Sequence, residues 1–312
     1  MKFCILIMVI AAGVCLQSAT PNPAPTTKEA LGRLLFFDRI LSKNYTISCA
    51  SCHKPRFAFA DSSAVSTGIK GKKGTRNTPT AMNISLSKTF FWDGRSGTLE
   101  QQALEPIQNP DEMNLSIEEA IYRLEKHGRY NQYFRKIFGS GPTKENLANA
   151  IASFERTLET SNSSFDNWKY TDDAKAVSDA VKRGFAVFNT KGKCVKCHFG
   201  SDFTAQEFRN IGLFNGRNLN DSGRARITND PKDIGKFKTP SLRNVAITAP
   251  YMHNGQFKSL DEVIEFYNDT KKIVPDAINT DSLLAAPLGL TKQERKDLKA
   301  FLISLTDKRF KK

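Results

Sequence analysis

Along much of this chain apolar residues recur at intervals of three and four, the spacing that gathers them on one face of a helix. Leu31, Leu34 and Leu35 form one such group, Phe185 and Phe188 a second, and Leu260, Val263, Ile264 and Tyr267 a third. Three helix starts carry the spacing of a capping box, at Ser116 with Glu119, Ser259 with Glu262 and Thr291 with Glu294. Two stretches rich in Gly, Asn, Lys and Arg, 66–80 and 200–240, interrupt the helices and show no sustained strand alternation. The expected fold is mainly α-helical, with long ordered loops.

The first residues follow a different pattern. Phe3 to Leu16 is an apolar run behind a single Lys2, followed at once by Ser18-Ala19-Thr20-Pro21-Asn22-Pro23. It is too short to span a bilayer and reads as a signal peptide over residues 1–20. Cys15 could in principle carry a lipid anchor, but Ala12-Gly13-Val14 makes a poor lipobox. The remaining ~290 residues exceed the usual size of one domain and suit two, placed at 21–165 and 166–312.

Composition adds one decisive feature. Cys-x-x-Cys-His occurs twice, as Cys49-Ala50-Ser51-Cys52-His53 and Cys194-Val195-Lys196-Cys197-His198, near the start of each half. Each copy has the spacing for covalent haem c attachment: two thiols add to the vinyl groups and the adjoining imidazole meets the iron from one face. A zinc site would need the two pairs about 15–20 residues apart. Cys49 and Cys194 are 145 positions apart. A thioredoxin-like motif explains neither the histidine nor its recurrence. The motifs use four of the 6 cysteines, and the others, Cys4 and Cys15, lie within the leader, so no disulfide framework remains. The cofactors expected are two covalently bound haem c groups with His53 and His198 as proximal ligands. Covalent haem attachment takes place outside the bacterial cytoplasm, which agrees with the leader and gives a periplasmic address.

Around the motifs lie further distinctive segments. Leu31-Gly32-Arg33-Leu34-Leu35-Phe36-Phe37-Asp38 precedes the first; Arg76-Asn77-Thr78-Pro79-Thr80, Phe91-Trp92-Asp93-Gly94-Arg95, Gln101-Gln102-Ala103 and Glu112-Met113 follow it. In the second half, Thr239-Pro240-Ser241-Leu242-Arg243-Asn244-Val245 leads into Thr248-Ala249-Pro250-Tyr251-Met252-His253-Asn254-Gly255. In content and order these segments resemble the di-haem bacterial cytochrome c peroxidase and MauG-type family over nearly the whole mature length. The resemblance implies two cytochrome c-like haem domains, the first peroxidatic and the second for electron transfer.

It also implies roles. Glu112 matches the family's proton-moving glutamate, Gln102 the glutamine that hydrogen-bonds the oxidant, and Trp92 the tryptophan between the haems. Taken alone, Glu112 is an ordinary acidic residue and Trp92 an ordinary core aromatic. A Ca²⁺ between the domains is implied through Asn77 and the carbonyls of Thr248 and Pro250, oxygen donors suited to a hard cation. Several relatives close the first haem with a second histidine where this chain has Gly68-Ile69-Lys70-Gly71. The first iron is therefore expected to be open, with Met82 or Met113 as the alternative cap. Opposite the second haem, Tyr267, 14 positions after His253, matches the tyrosine of MauG-type enzymes. Met252 is the competing thioether ligand.

The formal charge of +14 points to an acidic partner. Lys70, Lys72, Lys73 and Arg76 crowd one loop, and Lys308, Arg309, Lys311 and Lys312 form a basic tail; the bland alternative is a solvated surface. A periplasmic address and the lack of a nucleic-acid motif argue against nucleic acid. The leading expectation is a periplasmic di-haem peroxidase that reduces hydrogen peroxide to water with electrons from a small donor, a cytochrome c or cupredoxin. The alternatives are a MauG-type oxidase acting on a partner protein and a non-enzymatic di-haem electron carrier. A homodimer is compatible with each.

Overall fold

The computed structural model describes residues 23–311, so the expected leader 1–20 with Cys15, and Lys312 of the basic tail, lie outside the described residues. Helices dominate. The first half holds α1 (Lys28–Phe37), α2 (Cys49–Cys52), α3 (Leu99–Gln108), α4 (Ile117–Lys126), α5 (Gly128–Phe138) and α6 (Lys144–Arg156). The second holds α7 (Ser164–Tyr170), α8 (Asp179–Asn189), α9 (Ala225–Thr228), α10 (Leu260–Asn268), α11 (Thr270–Ile273) and α12 (Lys292–Ser304). No helix among the described residues is long and apolar enough to cross a membrane.

Each half is built on one close helix pair, and a glycine sets each crossing. A Cβ on Gly32 of α1 would lie 1.8 Å from the Ala150 carbonyl oxygen of α6, and one on Gly184 of α8 would lie 1.9 Å from that of Asp297 on α12. Only glycine lets these backbones approach so closely. Leu31, Leu35, Phe134, Leu147 and Ile151 fill the first core; Phe165, Phe188, Ile264, Leu298 and Phe301 fill the second. Residue 165, the expected boundary, lies inside α7, and Phe165 belongs to the second core.

The helix starts differ in detail from the pattern. Thr291 and Glu294 form a reciprocal capping box. Ser116 and Ser259 cap their helices, but Glu119 turns instead to Arg123, and Glu262 accepts from the Lys258 backbone. The loop 200–240 is not strand-free: β1 (Phe208–Arg209) pairs antiparallel with β2 (Phe237–Lys238). Two residues per strand are too few to leave an alternation in the sequence. This ribbon matters because the Lys238 N–H donates to the Trp92 carbonyl at 2.8 Å, tying the second half's loop to the first.

Candidate functional site

Both histidines are held by the same local device. Cys49–Cys52 is a single helical turn ending at His53, and Cys194–Lys196 is a 3₁₀ turn two residues before His198. His53 Nδ1 lies 2.9 Å from the Phe59 carbonyl oxygen, and His198 Nδ1 lies 2.9 Å from that of Phe203. A carbonyl can only accept, so each Nδ1 carries the proton and each Nε2 keeps a free lone pair. Burial holds both imidazoles below their usual pKa and therefore neutral, against a smaller upward pull from those carbonyls. Phe59 and Phe203 adopt left-handed backbone, at φ 55° and 52°, to aim those carbonyls. Such a conformation costs about 1–3 kcal/mol for a residue with a side chain.

Between the motifs lies one continuous cavity of about 720 Å³, lined by Cys49, Cys52, His53, Cys194, Cys197 and His198. Burial raises the four thiols, Cys194 to about 12, so all are neutral, and none is in a disulfide. The described residues contain no cluster of three or more His, Cys, Asp or Glu placed to hold a metal ion. Trp92, Gln102, Glu112, Met252 and Tyr267 line the same cavity.

On the first motif's side, burial raises the Glu112 carboxyl above its usual range, opposed by Asn109, whose amide donates to Oε1 at 2.7 Å. The Gly68-Ile69-Lys70-Gly71 loop packs directly on this residue. Ile69 N–H donates to the Glu112 carbonyl at 2.8 Å, Ile69 is buried, and a Cβ on Gly68 would fall 2.0 Å from the Asp111 carbonyl oxygen. Among the described residues, no imidazole other than His53, His198 and His253 lines the cavity. Met82 and Met113 also line it but are packed into apolar clusters, at 2% and 3% exposure.

On the second motif's side, Tyr267 packs with the cluster that includes Cys194 and Val195. Its hydroxyl is pushed above its usual pKa by burial and, to a lesser degree, by Cys197 and Cys194. Met252 packs instead in the neighbouring cluster of Leu213, Phe266 and Val274, which Tyr267 also touches. His253 stacks on Phe237, ring centroids 3.7 Å apart, and burial drops its pKa to about 4.

Comparison with known proteins follows from this geometry. The family described as di-haem cytochrome c peroxidase matches residues 26–175. The methylamine utilization protein MauG of Methylorubrum extorquens is 38% identical over 91% of this chain and 79% of its own. Cytochrome-c peroxidase IdrP1 of Denitromonas iodatirespirans is 36% identical over 91% of this chain and 83% of its own. The chain belongs to the di-haem cytochrome c peroxidase and MauG family. Among solved structures, a MauG-like protein associated with microbial copper homeostasis superposes with a TM-score of 0.84 at 32% identity, over 96% of this chain and 99% of that one. The family is one of oxidoreductases with two haems, and the relatives include both peroxidases and MauG proteins.

The residues fit two haems. Both thiol pairs, both histidines and Trp92 border a single space, and the walls between them are largely apolar. Asn77, Thr248 and Pro250 line that space as well. The Asn77 amide nitrogen is committed to the Ser63 and Ala64 carbonyls at 3.2 Å each, so its Oδ1 is the atom left over for a cation. The Asn77 backbone N–H donates to the His253 carbonyl at 2.7 Å, and its carbonyl accepts from Trp92 Nε1 at 2.8 Å.

One expected residue belongs elsewhere. Arg76 is not part of an exposed basic patch: it binds Asp221 through two nitrogens at 2.6 and 2.9 Å and Asp93 at 2.6 Å. Burial alone would raise Asp221, but Arg76 and the Gly223 N–H bring it down to about 2. Lys70, Lys72 and Lys73 remain exposed, with Lys72 paired to Asp111 at 2.9 Å. Sequence reasoning missed Phe59 and Phe203, whose role is carried by backbone carbonyls and leaves no residue-type signal. It also missed the buried pair of Arg243 with Asp166, at 2.9 and 3.0 Å, and the unpaired Glu155.

Proposed function

We propose that this protein is a periplasmic di-haem peroxidase that reduces hydrogen peroxide to water with electrons from a small, acidic donor protein. The observation that carries the reading is the single cavity shared by both Cys-x-x-Cys-His motifs, Trp92 and Glu112. Cys49, Cys52 and His53 hold the first haem, and Cys194, Cys197 and His198 the second. Bound haem supplies a peroxide-binding iron on one side and an electron store on the other.

The chain's own groups do the rest. Glu112 takes the proton from one peroxide oxygen and returns it to the other, so that oxygen departs as water. Burial moves its pKa upward, the direction such a shuttle needs. Gln102 hydrogen-bonds the oxidant. Trp92, fixed through Nε1 to Asn77 and through its carbonyl to Lys238, spans the space between the haem sites. A Ca²⁺ on Asn77 Oδ1 and the Thr248 and Pro250 carbonyls, completed by water, would hold the Trp92 anchor in place. The exposed Lys70, Lys72 and Lys73 offer the donor a basic face.

A MauG-type oxidase is the second reading, favoured by Tyr267, which lines the cavity and packs against the same core cluster as Cys194. Turnover of peroxide by purified holoprotein with a small artificial electron donor tests the proposal. Sustained turnover is expected. Binding of two haems with no peroxide turnover would leave a plain electron carrier.

A further inference from the structure

Glu112 borders two spaces. One is the large shared cavity; the other is a small polar pocket lined by Arg95, Glu105, Gln108, Asn109 and Glu112 itself. Arg95, Asn109 and Glu112 line both. At the outer end the Arg95 and Glu105 side chains pair at 2.8 Å and are 32% and 38% exposed, so the pocket reaches solvent. The approach from the 66–72 loop is closed. The 66–72 loop lies against Asp111 and Glu112 so tightly that Gly68 has no room for a Cβ. Another side faces the space that the first haem would occupy.

We propose that this pocket is the proton port of the peroxide site, with Glu105 as the relay carboxylate at its mouth. The inference rests on the peroxidase reading. That reaction consumes two protons and two electrons for each peroxide, H₂O₂ + 2H⁺ + 2e⁻ → 2H₂O, with the electrons drawn from the donor protein. Glu112 can move a proton already on the peroxide, but the two consumed must come from solvent. Glu105 takes each from bulk water and passes it along water admitted by the polar walls to Glu112. The charges facing Glu112 suit a relay. Asn109 and Arg95 favour its ionised form, while Glu105 and Asp111 favour the protonated one. From the motif, Cys49 and Cys52 also lie within electrostatic reach of Glu112. Arg95 is shared between Glu105 and Asp93, and Asp111 is matched by Lys72, so neither set of charges overwhelms the other.

Two variants test the port by different means: Glu105→Gln removes the relay, and Gln108→Trp fills the pocket while leaving every carboxylate in place. In holoprotein, both should retain two haems with unchanged absorption spectra. Both should slow steady-state turnover about 10-fold, through the reductive steps that consume the solvent protons, a modest share of what a positioned acid–base group supplies, and enlarge its solvent deuterium isotope effect. Small acids such as formic acid should restore the rate of Glu105→Gln but not of Gln108→Trp. Wild-type rate and isotope effect in both variants, with Glu112→Gln slowed, would overturn the port and leave the peroxidase reading standing. A wild-type rate in Glu112→Gln would likewise overturn the port, whereas absence of peroxide turnover in the unaltered holoprotein would overturn the peroxidase reading itself.

Discussion

The two motif regions share one proximal design and differ in everything facing it. In each, a short turn presents the cysteines, and a left-handed phenylalanine aims its carbonyl at Nδ1, so that a neutral Nε2 points the other way. Across the cavity the first region offers a carboxyl, an amide and a tightly docked glycine loop. The second offers Tyr267 and an apolar wall. The same contrast appears in the buried carboxylates. Asp166 of the second half is held by a two-pronged ion pair with Arg243, whereas Glu155 of the first half lines the cavity with Oε2 unpartnered. A repeated ligand motif therefore fixes how a haem is held but not what it does; the opposite wall decides that.

The largest effect that sharpens this contrast is on Glu112. Glu112→Gln should keep both haems and slow the peroxide step by about 10²-fold or more, the usual scale for a positioned acid–base group. Single-turnover mixing with peroxide measures it, and near wild-type rates would erase the functional distinction between the two walls.

Glu155 gives the next largest effect. Burial raises its pKa from 4.5 to about 8. The folded protein then keeps a proton that the unfolded chain releases, so this contribution to stability is full below pH 4.5 and is lost as the pH rises towards 8. The slope is at most about 1.4 kcal/mol per pH unit. Denaturant unfolding across that range should show it, and Glu155→Gln should flatten it. An unchanged slope in the variant would mean that Glu155 finds a partner.

The smallest effect is spectroscopic. If Tyr267 ligates the second iron, Tyr267→Phe should alter that haem's absorption and potential while leaving the first nearly unchanged. A methionine-type spectrum that survives Tyr267→Phe and is lost in Met252→Leu would assign the ligand to Met252 instead.

Much of this could be read from the chain because its chemistry lies in side chains at fixed spacings. The two haem motifs and the helical faces at Leu31 and Leu260 are local patterns, whereas the missing histidine at Gly68-Ile69-Lys70-Gly71 shows only against the family resemblance. Glu112, Gln102 and Trp92 were legible only through family resemblance, since nothing in an isolated glutamate or tryptophan marks its role. What stayed hidden depends on contacts between distant segments or on backbone atoms. Arg76 looked like surface charge because its partners Asp93 and Asp221 lie 17 and 145 positions away. The Phe59 and Phe203 carbonyls carry no residue signature, and the ribbon of Phe208 with Lys238 is too short to show alternation.

The claim that the first site is open, with Glu112 facing it, is tested most directly by mixing fully oxidised protein with peroxide and following the absorption spectrum. With no imidazole at the Gly68 loop, the account predicts a prompt reaction that prior reduction does not accelerate. A lag abolished only by reducing one haem beforehand would show that another group closes the first site at rest, and would contradict it.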